Sequence, residues 1–152
     1  TLFPNGAWAG AWGVHFVYGT LFGVRGLRAA GATPSDPSVV RALTFLMANQ
    51  RSDGGFGEHE ASAREDRFVP LPSGHCVQTA WALLAMVEGG SAFAQEARER
   101  AARYLASRQA PDGSWPRERM VGVFFRTALV DYDLYRQYFP VWALAAHRVS
   151  RS

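Results

Sequence analysis

One stretch of this sequence occurs twice. Arg41 through Phe56 and Arg100 through Trp115 align without a gap, each matched position 59 residues from its partner. In both copies an aromatic-leucine pair (Phe45-Leu46, Tyr104-Leu105) precedes a glutamine (Gln50, Gln109). An Asp-Gly-x-aromatic run follows it: Asp53-Gly54-Gly55-Phe56 and Asp112-Gly113-Ser114-Trp115. The tail of a third copy, Asn5-Gly6-Ala7-Trp8, stands near the start. A unit repeated at this period is a supersecondary element that buries its faces against its neighbours, so the fold is confined to a repeat architecture. Because the first copy lacks its helix and glutamine, the repeat also predicts that the chain is a fragment of a longer polypeptide.

Helical periodicity fills the space between these runs. Val14 to Ala30 is apolar nearly all round and stops at Gly31; Asp36-Pro37 starts a second helix that runs to Gln50. His75 to Val87 is again apolar all round, with Gly89-Gly90 as its stop, and Ser91 to Gln109 is amphipathic and laced with charge. Thr127 to Arg148 forms a last aromatic-rich helix that Pro140 should kink or end near Phe139. Helices apolar on every side are buried and amphipathic ones face solvent. The alternation predicts an all-α fold, an (α/α) toroid of inner and outer helices over a single domain, 1–152. No strand-period segment competes with it.

The repeated residues have a plain structural role. Asp53 and Asp112 before Gly54 and Gly113 are turn residues whose carboxylates can cap a nearby helix N-terminus. Gln50 and Gln109 end their helices and reach exposed backbone. Phe56 and Trp115 then pack over the loop as plugs.

Composition narrows the function. The chain has 152 residues, 48% hydrophobic and 13% aromatic, with one cysteine, Cys76. That is enough to bury a core, and it excludes a disordered segment and a disulfide scaffold. The 16 basic residues are all arginine and lie scattered among acidic partners, so the net charge of +3 does not make a nucleic-acid face. Lysine and isoleucine, both with A/T-rich codons, do not occur, which points to a GC-rich, bacterial genome. His15, His59, His75 and His147 are too dispersed for a zinc site. No Gly-x-Ser-x-Gly or phosphate-binding loop is present.

The repeat resembles the QW motif of the triterpene cyclases. Gly10 through Thr20, Gln78-Thr79-Ala80-Trp81-Ala82-Leu83 and Gly122-Val123-Phe124 through Phe139-Pro140 also resemble the C-terminal part of squalene and oxidosqualene cyclases, in the same order. Gly122-Val-Phe-Phe-Arg126 and Phe139-Pro-Val-Trp-Ala-Leu144 are more similar to the oxidosqualene, sterol-forming branch. The resemblance implies an isomerase that protonates squalene or 2,3-oxidosqualene and guides carbocations through ring closures, with no cofactor. It implies a peripheral, monotopic place on the cytoplasmic side of a membrane. Aromatic faces stabilise a desolvated cation by up to ~2 kcal/mol each and cannot quench it as nucleophiles.

By resemblance, Trp12, Phe16, Trp81, Phe124 and Tyr132 line the substrate cavity, and His15, Tyr18, Tyr132 and Tyr135 belong to the catalytic surroundings. Tyr18 matches a tyrosine near the catalytic acid. His15 stands where relatives carry Asn, or a Cys that hydrogen-bonds the acid, and departs from both. Spacing adds that Phe124, Ala128, Tyr132 and Tyr135 would share one stripe of a helix beginning that early, and Trp12, Phe16 and Gly19 another. The family's aspartate-rich acid motif is not in this sequence, so the fragment alone is expected to be inactive and to need the remainder of its own chain. A catalytically inactive helical-repeat module that binds a lipid or protein partner is the alternative.

Overall fold

The computed structural model describes residues 3–151 and is helical, as the alternation predicts. The elements are α1 (His15–Ala29), α2 (Pro37–Ala48), a short α3 (Ala61–Glu65), α4 (Cys76–Gly89) and α5 (Gln95–Arg108), then β1 (Gly122–Phe124), β2 (Ala128–Val130) and α6 (Tyr135–Val149). Local chemistry sets the ends. Asp36 accepts the Ser38 N–H at 2.9 Å with Pro37 in the first turn of α2, and Gly90 at φ +69° closes α4. No described helix is long and apolar enough to cross a membrane.

Two layers result. The inner layer is α1, α4 and α6 side by side, with α4 in the middle; α2 packs outside α1 and α4, and α5 outside α4 and α6. From Cys76 to Met86 every residue of α4 is buried. Its flanking partners are less enclosed than their composition suggests: Phe22 stays exposed on α1, and Tyr138, Val141 and Trp142 on α6. The difference is positional, because only α4 has an inner helix on both sides.

The repeat turns are built alike. In each, the acidic or amide side chain accepts the N–H two residues on (Ala7 to Asn5, Gly55 to Asp53, Ser114 to Asp112), and the glycine between has a left-handed φ of +91°, +87° and +85°. Gln50 Nε2 donates to Gly54 O and to Ala97 O of α5, both at 2.9 Å, so it ties its own turn to the next outer helix. Gln109 Nε2 donates to Gly113 O. Phe56 and Trp115 are the expected plugs, both buried, the latter donating its indole N–H to Leu105 O at 2.9 Å. The aspartates cap turns, not helices.

Three expectations fail, two of them in the last third of the chain, where the helix begins at Tyr135 and not at Thr127. Residues 122–130 form an antiparallel hairpin, with Gly122 opposite Val130 and Phe124 opposite Ala128, and Gly13 bridges to Gly122 from the other side. Phe124 and Ala128 therefore lie on strands, Tyr132 precedes α6, and their helical spacing with Tyr135 is coincidental. Trp12 likewise precedes α1 and pairs by its backbone with Val123, so it shares no helical stripe with Phe16. Pro140 does not end the helix: α6 runs through it to Val149. Its missing N–H leaves one carbonyl, that of Arg136, without its helical donor, while Phe139 and Ala143 bury the turns on either side.

Candidate active-site wall and cavity

The residues singled out in the sequence, Phe16 apart, fall into two groups that meet at the strand pairing. The first is a web of rings. Tyr18 packs edge-on against Trp81 at 5.0 Å, Trp81 against Tyr135 at 6.1 Å, and Tyr135 stacks on Tyr132 at 4.7 Å. Phe22 and Phe139 extend it. Trp81 is the hub, fully buried beneath its neighbours, and its indole N–H finds no partner. Gly13 and Gly122 allow the web to reach the strands: a Cβ on Gly13 would enter the Tyr18 ring, and one on Gly122 would lie 2.6 Å from Tyr132. Burial and neighbouring phenols raise the pKa values of Tyr18 and Tyr135, and push that of Tyr138 up to about 12. These phenols keep their protons at neutral pH, so they present ring faces and O–H groups.

The second group surrounds a cavity of about 230 Å³ lined by Trp12, His15, Val123, Phe124, Phe125 and Arg126 among others. Trp12 stacks on Phe124 at 4.8 Å. His15 is 4% exposed, and neither ring nitrogen has a partner. Burial first, and the Arg126 guanidinium second, hold its pKa below the usual histidine range, so the cavity contains a neutral imidazole with one donor and one acceptor free. Phe16 joins neither group. It points into the core, fully buried against Phe3, His15 and Phe45.

Three features of this region gave no signal in the sequence. Glu58 is buried and accepts the first three N–H groups of α1. Arg126 pairs with Asp66 and donates to Ala63 O, joining the hairpin to the loop after Phe56. The third is strain. Phe125 and Arg126, at φ +49° and +66°, form a hairpin turn closed by Thr127 N–H to Phe124 O, a conformation that Gly and Asn adopt at lower cost. Phe125 is 78% exposed. Phe125→Asn is expected to stabilise the chain by about 1 kcal/mol, read as a higher urea midpoint at unchanged slope. A lower midpoint would mean that the ring's packing on Phe124 outweighs the strain.

Histidine burial also sets a pH dependence. His15, His75 and His147 all have pKa values lowered from 6.5, desolvation being the largest cause in each. The unfolded chain therefore binds protons near pH 6.5 that the folded chain takes up only at lower pH. Stability is full above pH 6.5 and declines as pH falls below it. Glu58 and Glu88, whose pKa values burial raises, oppose this as each takes up its proton. His75 Nδ1 accepts the Val77 N–H and caps α4, which fixes the proton on Nε2 toward Arg119 O at 2.9 Å. His75→Asn keeps a capping side chain and should flatten the decline in Tm between pH 7 and 5; an unchanged slope would exclude His75 as a contributor.

The relatives of the chain agree with this architecture. Residues 1–149 match the family model for the squalene-hopene cyclase C-terminal domain. The lanosterol synthase of Homo sapiens is 38% identical over 144 residues, which cover 92% of this chain and 20% of that enzyme. The squalene–hopene cyclase of Bradyrhizobium diazoefficiens is 37% identical over 155 aligned residues, covering 100% and 23%. A type II terpene cyclase from Scytonema, solved with merosterolic acid A, superposes with a TM-score of 0.70 at 19% identity, over 99% of this chain and 45% of that one. The chain thus spans about a fifth of the length of the curated relatives it matches. With its repeat turns, inner and outer helices and family match over residues 1–149, the chain belongs to the squalene-hopene cyclase C-terminal domain family.

Proposed function

We propose that the polypeptide carrying this domain is a class II triterpene cyclase acting on squalene or 2,3-oxidosqualene, with this domain supplying part of its aromatic cavity wall. The observation that carries the reading is the ring web Tyr18–Trp81–Tyr135–Tyr132 set beside a cavity that holds Phe124 and one unpartnered imidazole. Ring faces in a dry, preorganised setting stabilise carbocations as they form and offer them no strong nucleophile. Gly122 to Arg126 and Phe139 to Leu144 favour the oxidosqualene branch.

The acid comes from elsewhere in the polypeptide. General acid catalysis needs a free carboxylic acid at the reacting end of the substrate. Here Asp131 and Asp133 are paired with Arg117 and Arg136, Asp66 with Arg126, and Glu58 with amides of α1. Asp53 and Asp112 are spent on turns. His15 is then the group of this domain that hydrogen-bonds the incoming acid, and Tyr18, one helical turn on, belongs to the ring web. Peripheral attachment to the cytoplasmic side of a membrane is part of the same proposal, since the substrates are lipids.

Feeding squalene and oxidosqualene separately to the full-length polypeptide, with products identified by mass spectrometry, tests the reading. A cyclised product from full-length protein and none from residues 1–152 is expected. Turnover by the 152-residue chain alone would overturn the division of labour. Substrate binding without product would replace the enzyme by a lipid-binding module.

A further inference from the structure

The structure assigns Glu58 the part of a positioning residue: its carboxylate holds the start of α1 and so fixes where His15 stands in the cavity. The helix needs an outside cap. Val14 occupies its N-cap position and has no side-chain acceptor, which leaves the first N–H groups without partners of their own. Glu58 supplies all three at once: Oε2 accepts from His15 N at 2.9 Å and Val17 N at 2.9 Å, and Oε1 from Phe16 N at 3.0 Å. A carboxylate at a helix N-terminus also meets the positive end of the helix dipole.

Glu58 is itself held firmly. Its N–H donates to Gln78 Oε1 at 2.7 Å, and its C=O accepts from Gln78 Nε2 at 2.9 Å, so the fully buried Gln78 of α4 grips its backbone from both sides. The Ser62 hydroxyl beside it favours the charged carboxylate and accepts the Val69 N–H at 2.9 Å. His59 N–H to Val69 O and Leu71 N–H to Gly57 O, both 2.8 Å, close the loop around it.

Comparison of the repeats explains where this loop comes from. After the first turn, Trp8 N–H donates to Thr20 on α1; after the second, Phe56 N–H donates to Thr79 on α4. The same junction spans 12 residues in one repeat and 23 in the other. The longer loop carries Glu58 to the start of α1, whose His15 lines the cavity, and Ala63 into the cavity lining, where Ala63 and Asp66 bind Arg126 of the hairpin. A single segment thus fixes the imidazole and the turn facing it. Since His15 is the first residue of α1, its ring direction follows the backbone that Glu58 holds.

The kinetic arm of the test rests on the cyclase reading; a spectroscopic arm does not. In the full-length polypeptide, Glu58→Gln keeps the shape but turns an amide N–H₂ toward the α1 donors. We expect the imidazole resonances of His15, identified by their loss in His15→Ala, to shift while those of His147 stay put. Turnover should fall by about tenfold or more, with KM within about threefold. Added to His15→Ala, the same change should cost little further, because both act through one group. Ser62→Ala, which removes the hydroxyl beside the carboxylate and with it the acceptor of the Val69 N–H, should give the same shift at smaller amplitude and serves if Glu58→Gln does not fold. Unmoved His15 resonances, or kinetic losses that multiply in the double variant, would overturn the assignment. A wild-type protein without turnover would remove the cyclase reading and leave the resonance test standing.

Discussion

Truncating Trp81 to alanine is expected to be the most damaging single change on the inner layer, at about 3–5 kcal/mol. For a chain of this size that corresponds to a fall of about 10 °C or more in Tm. The side chain is wholly buried on α4, and its ring is the common contact of Tyr18 from α1 and of Tyr135 and Phe139 from α6. Removing it empties a space bounded by three helices, and helices flanked by one inner neighbour each have little else to close it. Trp81→Phe provides the control. The indole N–H has no hydrogen-bond partner, so phenylalanine forfeits only volume and should cost about 1–2 kcal/mol. Thermal unfolding with near-ultraviolet circular dichroism checks both, since the stacked tyrosines should lose their fixed environment in the alanine variant. A cost below about 1 kcal/mol for Trp81→Ala would show that the three inner helices are held together by other contacts.

The hub position has a bearing on the proposed chemistry. A cavity-wall role for Trp81 is exercised through the rings that cover it: Tyr18 and Tyr135 are its outer neighbours, and both keep their protons. Trp142, by contrast, already carries the Arg25 guanidinium 4.8 Å from its centroid, so that face is taken. The half-buried tyrosines of the web are Tyr18, Tyr132 and Tyr135, on the side shared with the strands at Gly13 and Gly122.

How much of this the sequence announces depends on the range of the interaction. The turns are legible because Gln50, Asp53 and Gly54 interact within a few residues of one another, and because the pattern returns at Gln109, Asp112 and Gly113. The helices are legible from their apolar period. The hairpin is not, since its strands are three residues long and its turn uses Phe125 and Arg126 where glycine or asparagine would have marked it. The spacing of Phe124, Tyr132 and Tyr135 then imitates a helical stripe. Phe16 shows a second limit: its neighbours in sequence, His15 and Tyr18, face the cavity and the ring web, while one helical step turns Phe16 into the core. Glu58 shows a third, because its partners lie 41 to 43 residues away and a glutamate in a polar loop carries no local signal of burial.

The two repeat glycines give the sharpest test of how the units dock. Gly54 and Gly113 have nearly the same left-handed φ, +87° and +85°, so an alanine at either place incurs the same backbone penalty of about 1–2 kcal/mol. Their surroundings differ. A Cβ on Gly54 would lie 2.6 Å from the Arg100 carbonyl oxygen of α5, whereas one on Gly113 would meet only the Gln109 amide at 3.9 Å. Backbone cannot swing aside as a side chain does, so Gly54→Ala must also push α5 away and loosen the Gln50 bond to Ala97. We expect about 3–5 kcal/mol in all, the second part being the usual cost of overpacking. Gly113→Ala should stop at the backbone penalty. Denaturant unfolding of the two variants side by side measures the difference, which is the energy of seating one turn on the next outer helix. Equal losses would mean that the repeats are held through α4 alone, and that the turn-to-helix contact, for all its regularity, contributes nothing to holding the outer layer.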